Sequence, residues 1–184
     1  MNNKSLKILF IYNGIFVFAA SLFGPLYAVY VGLLDKNILS VSITWSAFLI
    51  ATIIFTLIIS KIGDRLKEKE YLLLAGFLVR AITWFLFIFT TNVYYLIFLQ
   101  ILLGFGEALG TPAFDAIFAE HLDGGRHIKE YSDWKLISNI ATSVGTLIGG
   151  LIVIEFGFQW LFISMSLLAI VSFIGVFSQS RNLL

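Results

Sequence analysis

The 184-residue chain has no cysteine, two prolines and two histidines, and Lys, Arg, Asp and Glu together supply only 12% of it. Without cysteine there is no disulfide and no thiolate chemistry. The scarcity of charge, beside 59% hydrophobic residues and a mean hydropathy of +0.96, excludes an ordinary soluble globular domain. No phosphate-binding loop, metal-ligand cluster or nucleophile constellation is present, so the residues point to no enzyme, metal or cofactor. The formal net charge of +1 likewise gives no sign of a nucleic-acid partner.

What the chain does have is long apolar runs. A hydrocarbon core of about 30 Å takes about 20 helical residues, because each advances about 1.5 Å and every backbone N–H must find a partner inside its own segment. Six stretches meet that demand: 6–34, 41–62, 71–90, 94–119, 136–154 and 158–177. The first resembles a secretory signal, with Lys4 and Lys7 before it and Ala19-Ala20-Ser21 as a cleavage-like site. Its apolar run nevertheless continues to Leu34, too long for a signal, and reads as an uncleaved span. The fold class expected is an all-α membrane protein forming a single bundle over 1–184, with polar loops at 62–70 and 120–135.

Threading six spans places Lys4, Lys7, Lys61, Arg65, Lys67, Lys69, Arg126, Lys129, Lys135 and Arg181 on one side and Lys36 on the other. Lys and Arg accumulate on the cytoplasmic side of membrane proteins, so both termini are expected there. The densest knot, Lys61 to Glu70, reads first as a stop-transfer and topology signal.

The spans also echo one another at nearly constant offset. Pro25 in Gly24-Pro25-Leu26-Tyr27 corresponds to Pro112 in Gly110-Thr111-Pro112-Ala113-Phe114, Trp45 to Trp134, Ile50-Ala51-Thr52 to Ile140-Ala141-Thr142, and Tyr71 to Trp160. Together these suggest two three-helix repeats, 6–90 and 94–177, the second inverted because three is odd. The two prolines then occupy matching spans, where each is expected to bend or loosen its helix. Paired interrupted spans point to a cavity between repeats, although transmembrane helices tolerate proline in any case.

Arg80 and Glu107 fall about halfway along their spans, where a charge costs at least about 2.5 to 3.5 kcal/mol. Gln100, Gly104, Glu107, Thr111 and Asp115 recur at helical spacing, and such a polar stripe in lipid lines a cavity. Glu107 has two open roles, proton carrier or counter-ion to a cationic solute, against the alternative of a static pair with Arg80. Asn13, Val17, Ser21, Gly24 and Ala28 recur at helical spacing in span one with Tyr27 and Tyr30 flanking, and the Asn, Ser and Tyr side chains there, like Asn139, Thr142 and Thr146 in span five, offer hydrogen bonds to a solute or between helices. Gly106 with Gly110, and Gly145 with Gly149, are spaced for close helix packing.

The run GFGEALGTPAFDAIFAEHLDGGRHIKEY, then NIATSVGTLIGG and FGFQWLF, resembles the fourth and fifth helices and following turn of the major facilitator superfamily, and Asp64-Arg65 resembles its signature between helices two and three. The likeness implies the amino-terminal six-helix half of a twelve-helix carrier. Departures stand at Ser60, Lys67 and Glu68 around that signature, at Gln100 where the family often has arginine, and at Thr146 where its antiporter motif has proline. With the resemblance, Asp64 and Arg65 read as a cytoplasmic gate, Arg65 reaching Glu120 or Asp115 and Arg126 lying nearby.

Two functions are open on these grounds. The first is a secondary transporter, or half of one, moving a small solute by alternating access, coupled to protons and directed to efflux; it requires a second six-helix half, in a homodimer or a missing carboxy-terminal part. The alternative is a non-transporting membrane scaffold or partner subunit that keeps the fold.

Overall fold

The computed structural model describes residues 4–63 and 68–179. Asp64, Arg65, Lys67 and Arg181, named above for the gate and the charge asymmetry, lie outside the described residues. Every regular element among the described residues is helical: α1 Lys4–Ser21, α2 Leu26–Leu34, α3 Ile38–Gly63, α4 Glu70–Leu86 with a 3-10 turn Phe87–Phe89, α5 Val93–Glu120, α6 His127–Phe156 and α7 Phe158–Phe177. Five of these spans are long and apolar enough to cross a membrane, and α1 with α2 makes a sixth that is bent by 43°. The chain is an integral, multi-pass membrane protein.

The bend in span one has a chemical cause at Pro25. Proline carries no N–H, so the carbonyl of Ser21 four residues earlier loses its helical donor. Residues 22–25 form turns, α2 restarts with Pro25 as its N-cap, and the Ser21 carbonyl instead accepts from the Thr146 hydroxyl of α6 at 3.5 Å. Pro112 behaves differently from the expected matching break, because α5 runs on unbroken around it. Along its length α5 packs against both α3 and α4, and a single missing N–H does not overcome that packing.

Boundaries shift where polar residues extend a helix beyond the membrane. The loop expected over 120–135 is only 121–126, since α6 begins at His127. Glu130 is buried and accepts from the Asp123 N–H at 2.9 Å, and Tyr131 meets Phe118 edge-to-face while Trp134 packs at a tilt on Phe114, so the first turns of α6 are anchored to α5. At the opposite end Asn92 caps α5 by accepting from Tyr95 N–H at 2.9 Å. Gly157, at φ 84°, turns α6 sharply into α7 in a conformation that favours glycine.

Packing follows a pattern of exchange. α1 lies on α6 and α7, α5 lies on α3 and α4, and α4 meets α7 between them. Small residues allow the closest approaches: a Cβ on Gly76 of α4 would stand 2.6 Å from Gly110 Cα, and one on Gly145 would stand 2.9 Å from the Phe18 carbonyl. A Cβ on Gly149 would collide with the backbone of Leu22. Phe23, Tyr30, Phe87, Phe158 and Phe162 interlock at one end, where Tyr30 also donates to the Phe87 carbonyl at 3.2 Å. α3 and α6 flank the bundle and carry its least buried faces.

Candidate functional site

The site is built around Arg80. Its guanidinium is buried, yet α5 passes close by, and this is possible because the facing residues are Gly106 and Gly110. A Cβ at Gly106 would stand 2.7 Å from Arg80 Cγ, and one at Gly110 would collide with its Nη2. The glycines spaced for packing therefore also form the slot that admits the cation. Within the slot Arg80 donates from Nη1 to Glu107 Oε2 at 2.7 Å and from Nε to the Gly76 carbonyl at 3.2 Å, while its guanidinium carbon lies 4.2 Å from the centre of the Phe16 ring. Thr111 donates its hydroxyl to Glu107 Oε1 at 2.6 Å, so both carboxylate oxygens are engaged.

This pair lines two cavities. The larger, about 550 Å3, lies between α1, α5 and α6. Asn13, Ser21, Thr111, Thr142 and Thr146 give it polar atoms, Phe16, Phe114 and Trp134 give it rings, and Asp115 lies on its wall. The smaller, about 170 Å3, is lined by Tyr27, Trp45, Phe48, Trp84 and Gln100 together with Arg80 and Glu107. There Tyr27 donates its hydroxyl to Thr44 Oγ1 at 2.5 Å, and Gln100 is buried.

The polar stripe of α5 is thus divided. Glu107, Thr111 and Asp115 reach the larger cavity and Gln100 the smaller, whereas Gly104 packs against α3, where a Cβ would stand 2.7 Å from the Phe48 carbonyl. Tyr27 belongs with Gln100, apart from Asn13. Asn139 is exposed on α6 and lines neither cavity. Pro25 borders the larger cavity, and Pro112 borders a pocket between α3, α4 and α5.

At the end of the bundle expected to be cytoplasmic, Glu120 forms an ion pair with Lys69, the residue before α4. Arg126 is exposed just ahead of α6. Asp115, grouped with this end from its sequence position, instead shares the larger cavity with Glu107. Phe16 and Phe114 carry no signal in the sequence, being rings among many; only the three-residue step from Asn13 to Phe16, one helical turn, marks the first. Among the described residues no group of three or more His, Asp or Glu converges as metal ligands would.

A broken first span, an ion pair between α4 and α5, and a cavity walled by α1, α5 and α6 make up the site. The model of the Major Facilitator Superfamily matches residues 9–181, and the chain belongs to that family. It is 29% identical over 170 residues to the chloramphenicol resistance protein CraA of Acinetobacter baumannii, an alignment covering 83% of this chain and 40% of that protein. The chain thus spans less than half the length of this relative.

Proposed function

We propose that the chain forms one wall of a secondary transporter that exports a small organic solute by alternating access, coupled to protons. The observation that carries this reading is the Arg80–Glu107 pair, which borders two cavities. A static brace needs no open volume on either side, whereas a carrier needs a partition whose contacts can be remade. Protonation of Glu107 would remove the charge that Arg80 faces and free both groups to exchange partners. Asn13 and Thr111 would bind solute in the larger cavity, and Tyr27 and Gln100 in the smaller.

The relative's name, a chloramphenicol resistance protein, favours export and a small organic solute. The packing scheme favours inverted repeats, because exchanging spans one, two and three for four, five and six maps the contacts of α1 onto those of α5. Six helices close only one side of such a pathway. The second six-helix bundle, from another copy or from more of a longer chain, would cover α1, α5 and the exposed Asn139 side of α6. Asp64, Arg65 and Arg126, with the Lys69–Glu120 pair, would gate the cytoplasmic end, where both termini would lie.

Proteoliposome flux with and without a pH gradient tests this, with Glu107→Gln beside the parent. Gradient-dependent flux in the parent and its loss in the variant are expected. Equal gradient-dependent flux in both would remove Glu107 from the coupling, and flux absent from both while the variant alters only assembly would replace this reading with the scaffold.

A further inference from the structure

The larger cavity holds one cation and two carboxylates, and they are not equivalent. Arg80 is spent on Glu107: its Nη1 bond of 2.7 Å, its Nε bond to Gly76 and the Phe16 ring under its guanidinium all turn it away from free solute. Glu107 is engaged at both oxygens, by Arg80 and by Thr111. Asp115 stands two helical turns further along α5, about 12 Å from Glu107 by helical rise. Its side chain is exposed to the cavity, and no hydrogen bond or ion pair reaches it among the described residues. Arg80 on α4 and Glu107 on α5 are the other charged residues of the lining, and α1 and α6 contribute none. The wall around Asp115 is aromatic, with Phe114 and Trp134 at 4.8 Å between ring centres.

A carboxylate without an internal partner in a cavity also lined by aromatic side chains is an arrangement that recognises an organic cation: the carboxylate supplies the counter-charge, and the rings give apolar surface to the cation's apolar groups. Building on the reading of this cavity as a solute site, we infer that it selects monovalent organic cations and that Asp115, rather than the internally paired Glu107, is the residue that sets this preference.

The test is equilibrium binding to the whole chain in lipid nanodiscs, with tetraphenylphosphonium as the cation and triphenylphosphine oxide as a neutral comparison of similar rings. The parent binds the cation more tightly. Asp115→Asn lowers the cation-to-neutral affinity ratio by about tenfold, equivalent to about 1.4 kcal/mol, and Asp115→Glu restores it. An unchanged ratio in Asp115→Asn, a parent that prefers the neutral probe, or a parent that binds neither, overturns the inference. The flux experiment separates the two ideas. A chain with gradient-driven flux but no charge preference at Asp115 loses only the cation selectivity, and one that binds the cation through Asp115 without any flux loses only the transport function.

Discussion

Replacing Gly76 by alanine strikes the contact on which the site's geometry depends. A Cβ there would stand 2.6 Å from Gly110 Cα, 2.7 Å from Gly110 N and 2.9 Å from the Gly106 carbonyl, all of them backbone atoms that no rotamer change can clear. Ordinary contact begins at 3.4 Å, so α4 and α5 must separate by 0.8 Å. Overpacking of this kind costs about 1 to 3 kcal/mol. Alanine also returns about 0.5 to 1 kcal/mol of helix propensity. The clash wins, because the obstruction is rigid, and mid-range values of the two effects leave a net loss of about 1 kcal/mol. Carried one turn along α4 to Arg80, the same opening stretches and weakens its 2.7 Å bond with Glu107. Equilibrium unfolding in mixed detergent micelles, followed by tryptophan fluorescence, measures the loss. Gly150→Ala is the control, since nothing lies within 4 Å of its Cβ position, and it is expected to leave stability unchanged or raised. A Gly76→Ala protein as stable as the parent would refute the reasoning.

The ion pair and the caps give further expected outcomes. Glu107→Leu alone leaves Arg80 buried without its partner and costs up to about 3 kcal/mol, whereas Arg80→Met with Glu107→Leu recovers most of that in the same unfolding assay; equal losses in both would deny the coupling. Asp35, between α2 and α3, accepts from the Ser40 hydroxyl at 2.5 Å and the Asn37 N–H at 3.0 Å, which hold its carboxyl below the usual aspartate range. A depressed value contributes stability above the ordinary pKa of about 4 and loses it as pH falls through the folded value. The protection factor of the Asn37 amide in hydrogen exchange is therefore expected to fall in that acidic window in the parent and to show no such step in Asp35→Ala.

The spans are legible in the sequence because apolar length is a direct consequence of membrane thickness, and the stripe from Gln100 to Asp115 is legible because helical periodicity survives in any solvent. Pairing is harder to read. That Arg80 meets Glu107 depends on the Gly76–Gly110 crossing, a tertiary contact between residues far apart in the chain. Pro25 and Pro112 look alike in sequence but differ in effect, since the consequence of a lost N–H is set by the neighbours packed around the helix. The position of Asp115 along its span places it toward the carboxy-terminal end of α5, and only the packing shows that it lines the cavity shared with α1 and α6. Lys69 as the partner of Glu120 requires knowing how the start of α4 lies against the end of α5.

The central claim is that the polar residues of mid-bundle border water rather than lipid tails, and the absence of native cysteine makes it directly measurable. Thr111→Cys, placed in the larger cavity, should react in native membranes with a charged, water-soluble methanethiosulfonate reagent, while Ile53→Cys on the exposed apolar face of α3 should not. Equal failure of both thiols to react would mean that no aqueous path reaches Glu107, and a solute pathway could not run through this cavity.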